Sequence, residues 1–187
     1  MRKGILAAAL LACAACGGGS GSSPASVSGT IGGQPLDARD ALSNVITVGT
    51  NSVGGILIIN SPNTCAKLSA NQLPRNAKGI AIAIGTNSAS RLSAPTATGT
   101  YTVYSQAATA GKTGNVATAL YGATDANCVP VSSIETTSGT VTLTRVDSSG
   151  YSGTFDITFS DASHVTGSFS ASKCAAYSPS IQQATCT

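Results

Sequence analysis

Thr140-Val141-Thr142-Leu143-Thr144, Thr154-Phe155-Asp156-Ile157-Thr158-Phe159 and the run from Val165 to Phe169 place apolar residues at every second position over three consecutive segments. A period of two sends successive side chains to opposite faces of a strand, so each segment has one face for a core and one for water. Between them stand Asp147-Ser148-Ser149-Gly150 and Ser160-Asp161-Ala162-Ser163. Asp and Ser there bond to nearby backbone, and Gly tolerates the positive φ that tight turns need. The stretch predicts a three-stranded antiparallel meander with Phe155, Ile157, Phe159, Val165 and Phe169 inward and threonines outward. By the same parity Arg145 falls in with Val141 and Leu143, at the core rim with its stem buried and its head in water.

Outward from this meander the rest of the chain also reads as strands. Ile80, Ile82 and Ile84 alternate with Ala81 and Ala83, one bulky and one small apolar face, which predicts a strand packed on both sides. Ile56-Leu57-Ile58-Ile59 is a similar run, expected to be central in its sheet. Tyr101 with Val103, and Val116 to Tyr121, supply shorter candidates. Helix is expected only from Asn63 to about Gln72, capped by Asn63 or Thr64 and stopped by Pro74. Ser28-Gly29-Thr30, Thr98-Gly99-Thr100, Ser138-Gly139-Thr140, Ser152-Gly153-Thr154 and Thr166-Gly167-Ser168 recur at irregular spacing near strand starts, where Gly marks bulges and close backbone approach. The fold class is all-β, an antiparallel β-sandwich or flattened barrel of about eight or nine strands.

The N-terminus reads differently. Met1-Arg2-Lys3 precedes an apolar run from Ile5 to Ala15, and Cys16 leads into Gly17-Gly18-Gly19-Ser20-Gly21-Ser22-Ser23. A charged start, a short apolar core and small residues before a cut are the marks of an export signal, and the run is too short to cross a bilayer. Residues 1–15 are therefore expected to be a lipoprotein signal peptide, 16–26 a lipidated Cys with a Gly/Ser linker, and 27–187 one β domain. Two positions compete for the lipid, since Leu10-Leu11-Ala12-Cys13 and Cys13-Ala14-Ala15-Cys16 both put a small residue before a cysteine. Parity selects Cys16: processing there leaves Cys65, Cys128, Cys174 and Cys186 as an even set for an oxidising compartment. An ordinary signal peptide cleaved near Ala15 is the plainer alternative. Four cysteines allow three connectivities. A local Cys174–Cys186 bridge would pin the C-terminal tail to the sheet, leaving Cys65 to pair with Cys128 by elimination.

The search for chemistry excludes more than it finds. Loss of Arg2 and Lys3 leaves eight cationic side chains against seven carboxylates, so no basic footprint for nucleic acid is expected. The single histidine, His164, sits beside Ser160, Asp161 and Ser163. Adjacent turn residues cannot align nucleophile, base and orienting group, so a solvated turn histidine is expected. No cation-loop motif occurs, no metal or cofactor is expected, and Asp37-Ala38-Arg39-Asp40 reads as a turn with an Asp–Arg contact rather than a pair of catalytic carboxylates. With no Trp, a sugar-stacking platform would have to come from Tyr101, Tyr104, Tyr121, Tyr151 and Tyr177, whose expected role is core packing with the hydroxyl at the surface.

The lipobox before a Gly/Ser tether, the opening Ser28-Gly29-Thr30-Ile31-Gly32-Gly33-Gln34-Pro35-Leu36-Asp37-Ala38 and the closing strand from Val165 to Cys174 together resemble small uncharacterised lipoproteins of myxobacteria-like Gram-negative bacteria. The resemblance implies an envelope location. Because Gly17 stands where such proteins carry an inner-membrane retention Asp, it also implies the outer membrane, facing periplasm or cell surface. The expectation is a non-enzymatic structural or binding component of the envelope. Its partners would be the bilayer through acyl chains, and an envelope protein or polysaccharide. The alternative is a surface recognition module for carbohydrate or protein, adhesin- or inhibitor-like.

Overall fold

The computed structural model describes residues 23–88, 91–178 and 184–187. Residues 1–15, Cys16 and the linker up to Ser22 lie outside them. Twelve strands are present among the described residues: β1 Ala25–Gly29, β2 Asp40–Val48, β3 Asn51–Ile59, β4 Gln72–Leu73, β5 Lys78–Ser88, β6 Arg91–Ser93, β7 Gly99–Tyr104, β8 Gly114–Thr124, β9 Pro130–Asp147, β10 Gly150–Phe159, β11 His164–Lys173 and β12 Thr185–Cys186. A short α-helix, α1, covers Thr64–Ser69, and a single 3-10 turn covers Ala107–Thr109. The fold is all-β. β1 begins two residues inside the stretch read as linker, because Pro24 already engages the sheet: its carbonyl accepts the Ser170 amide.

The meander forms as the alternation requires, β9 against β10 and β10 against β11, both antiparallel. β10 and β11 supply Phe155, Ile157, Phe159, Val165 and Phe169 to the core, all at most 4% exposed. β3 lies between β2 and β5, and β5 pairs onward with β8 and β8 with β9. β11 then returns to β2 through Ser172 opposite Leu42 and Lys173 opposite Ser43. That contact closes the main ten-stranded sheet into a barrel. The closing pair is parallel, as is β7 with β8, so the sheet is mixed rather than strictly antiparallel. Parallel neighbours cannot be joined by a tight turn: β7 and β8 are linked through residues 105–113, and β2 and β11 lie at opposite ends of the sheet's chain order.

β7 is a wedge. It pairs with β9 along its whole length and with β8 at Thr102 and Val103, and beyond its end β8 and β9 come together. Thr136 fills that fork: its hydroxyl accepts the Ala119 amide and donates to the Ala119 carbonyl, both at 3.0 Å. A buried Thr thus replaces a missing ladder bond, where an unpaired backbone group would cost about 1–3 kcal/mol.

The interior is one continuous cluster that includes Ile56, Ile58, Ile80, Ile82, Ile84, Val141 and Ile157. Tyr101, Tyr121 and Tyr151 join it at 3–5% exposed. Their side chains occupy the barrel interior. A second, smaller cluster sits outside the barrel wall, where Leu42, Leu68 and Cys174 pack with Leu57, Leu73 and Tyr177. It is covered by α1, β4 and the C-terminal tail, a strap laid over β2 and β3.

Two disulfides hold the strap, and their connectivity corrects the local pairing inferred above. Cys65 bonds Cys174 and Cys128 bonds Cys186, each with Cα atoms 5.7 Å apart. The physical reason is the position of α1. It packs where β11 ends, so Cys174 meets the helix and not the tail. The tail runs on to place β12 beside β4 in a parallel pair, and there Cys186 meets Cys128 of the β8–β9 loop.

The helix is shorter than expected and its cap comes from elsewhere. Asn63 occupies the cap position with φ 57° and makes no side-chain cap bond. Instead the Asp40 carboxylate, at the start of β2, accepts the Thr64 amide at 2.7 Å.

Candidate binding surfaces

Cys16, the expected lipid site, lies outside the described residues. Ser23, the first residue described, is held to the barrel: its hydroxyl donates to the Ala38 carbonyl at 3.0 Å. It lines an open cleft of about 920 Å³ with Pro35, Asp37, Arg39, Pro62 and Lys78. Asp37 and Arg39 bond each other there, both well exposed. Asp40 points away to cap α1, so the two carboxylates form no pair.

Lys78 begins β5 and Ser88 ends it, about 33 Å away at the usual rise of a strand. At the Ser88 end is a second cleft of about 550 Å³, lined by Asn51, Asn87, Ser88, Arg91, Lys112 and Thr113. Sequence reading missed these residues. They come from four separate loops and strand ends, and no local spacing links them.

The outer face of the β1-β11-β10-β9-β7 side carries an ordered array of small polar groups. Register aligns Ser26, Ser168, Thr154, Thr142 and Thr100 in one row across five strands, and Ser28, Thr166, Asp156, Thr140 and Thr102 in the next. Ser26 and Ser168 hydroxyls meet at 2.9 Å, Thr100 and Thr142 at 3.1 Å. The threonines flagged by alternation are thus the solvent side of one surface. His164 lies at its edge, 2.7 Å from the Asp156 carboxylate, with both side chains more than half exposed. It is placed on the outer face with one acid and belongs to no nucleophile-bearing constellation among the described residues.

Arg145 does not sit at the core rim. A β-bulge between Ser152 and Gly153 shifts the register, so that Leu143 faces Gly153 while Arg145 faces Ser152. The extra residue reverses parity and turns Arg145 outward. Its Nε donates to Ser152 Oγ at 3.1 Å and Nη1 to Ser149 Oγ at 2.8 Å, with Asp147 at 3.6 Å. The Asp147 carboxyl is held below the usual range by the Ser149 hydroxyl and amide, and further by Arg145. Gly153 is needed at the bulge because a Cβ would lie 2.1 Å from the Thr142 carbonyl oxygen.

The second face of β5 is not covered. Ala81 lies with Leu57, Ile59, Gly79, Leu120 and Gly122 along an open apolar trough of about 160 Å³ on the barrel exterior. The two-sided burial expected of this strand therefore holds only for its isoleucines. Of the tyrosines, Tyr104 and Tyr177 stay outside the main core. Tyr177 packs on Gly55 of β3, and burial under the strap pushes its phenol up to about 12. Tyr104 lies under the Lys112 ammonium, 5.1 Å from its ring centre. No group of three His, Cys, Asp or Glu side chains able to hold a metal occurs among the described residues, and none of their helices is long and apolar enough to cross a membrane.

Comparison of the chain with protein-family models, with curated proteins and with solved structures returned no match.

Proposed function

We propose that this chain is an envelope lipoprotein, anchored in the outer membrane by acyl chains on Cys16, with a binding or structural role and no chemistry of its own. The observation that carries the reading is the pairing of all four cysteines beyond Cys16 into two disulfides. Such bonds persist in oxidising compartments, and they leave Cys16 as the one cysteine for the lipid once the signal is cut. Ser23, seven residues after Cys16, lines a cleft at one end of the barrel, which supports it too.

Within this reading a recognition role is favoured over a purely structural one by the second cleft, at the far end of β5, which would face away from the bilayer. The experiment is fractionation of cells expressing the full chain. Wild type is expected in the outer membrane and Cys16→Ala in the soluble fraction, because stable attachment takes more than one acyl chain. Membrane retention of Cys16→Ala, with release by Cys13→Ala, would move the lipid; retention of both variants would end the lipoprotein reading.

A further inference from the structure

The cleft at the Ser88 end of β5 has an unusual charge balance. Arg91 and Lys112 both line it, and none of the seven carboxylates of the chain does. Those acids are engaged elsewhere where ion pairs form, with Arg39, Arg145 and His164. Two cationic residues without a carboxylate partner therefore line one 550 Å³ space.

The walls of that space are fixed in advance. Asn51 Oδ1 accepts the Leu92 amide at 2.9 Å, tying β6 to the start of β3. Asn87 Nδ2 donates to the Lys112 carbonyl at 2.6 Å, tying the β7–β8 connection to β5. The Lys112 ammonium is further located by the Tyr104 ring beneath it. A site ordered before binding saves the entropy that flexible loops would lose.

We propose that this cleft binds a carboxylate-bearing sugar of an anionic polysaccharide. The Arg91 guanidinium matches a carboxylate bidentately and the Lys112 ammonium adds a point charge. Around them the Ser88 and Thr113 hydroxyls offer donors and acceptors for ring hydroxyls, and Leu92 offers an apolar surface for the ring itself. Phospholipid headgroups are anionic as well, but the proposed tether leaves from the opposite end, near Lys78. This part of the argument rests on the anchored reading; the charge complementarity does not.

The test is calorimetric titration of the full chain, extracted in neutral detergent, with tetragalacturonate as the probe and maltotetraose as the neutral counterpart. Saturable binding of tetragalacturonate alone is expected, falling at least tenfold in Arg91→Gln and in Lys112→Gln at unchanged Tm. Arg75→Gln, which alters the same net charge away from the cleft, is expected to stay within twofold of wild type. No binding, equal binding of maltotetraose, an equal loss in Arg75→Gln, or Arg91-dependent binding of phosphatidylglycerol vesicles in place of the sugar would each overturn the assignment. Titration does not depend on where the protein resides in the cell, so failure here leaves the fractionation result standing, and the reverse.

Discussion

At the scale of residues, burial and parity decide most outcomes. Phe155 stacks against Phe169 with ring centres 6.5 Å apart and lies over Gly167, where a Cβ would come within 2.4 Å of its ring. Phe155→Ala is expected to cost about 3–5 kcal/mol by urea denaturation, whereas Thr154→Ala, on the hydroxyl face, is expected to stay within about 0.5 kcal/mol. The reverse order would show the faces to be inverted. Tyr177 gives a pH signature. Its folded pKa lies above the usual 10, so between pH 10 and 12 the unfolded chain releases a proton that the native one keeps, and stability falls as pH rises through that window. Tyr177→Phe is expected to make thermal stability less sensitive to pH there than in wild type; an unchanged slope would show that Tyr177 is not the group responsible. The inward set from Val141 to Phe169 was legible because period-two patterning survives wherever a strand is regular. Arg145 was not, because one bulge reverses parity and nothing in the residues of β9 announces it.

At the scale of elements, the strap over β2 and β3 depends on two staples and a borrowed cap. Cys65–Cys174 closes 109 positions and Cys128–Cys186 closes 58. On loop-entropy grounds these are worth roughly 5 and 4 kcal/mol, so the Cys65→Ser/Cys174→Ser pair is expected to lower the denaturation midpoint at least as far as Cys128→Ser/Cys186→Ser. A clearly larger loss from the shorter loop would place the strap's main anchor at β12. Asp40→Ala removes the carboxylate that accepts the Thr64 amide and is expected to cost about 1 kcal/mol, as loss of a helix cap does. A neutral result would mean that water replaces it. The helix itself could be read from Asn63 to Gln72. Its cap and the cysteine pairing could not, since both depend on where α1 lands on a barrel wall that the chain builds from segments far apart in sequence.

At the scale of the whole molecule, the barrel carries its two clefts at opposite ends of β5. The all-β class was plain in the strand pattern. Closure by parallel contact between β11 and β2 was not, because only two residue pairs make it and their segments are 130 positions apart. The same distance hid the cleft: Asn51, Asn87, Arg91 and Lys112 become neighbours only once β3, β5 and β8 are in register. In the proposed function an oxidised barrel with this strap hangs from a lipid on Cys16. Mass spectrometry of a non-reduced digest of the membrane-extracted protein tests it in one measurement. Trypsin is expected to leave residues 40–67, 113–145 and 174–187 joined as a single species. A further chymotryptic cut after Tyr177 is expected to split it into Cys65–Cys174 and Cys128–Cys186 pairs, alongside an N-terminal peptide beginning at an acylated Cys16. Peptides 40–67 and 113–145 joined to each other with 174–187 free, or an unmodified Cys16, would contradict the account.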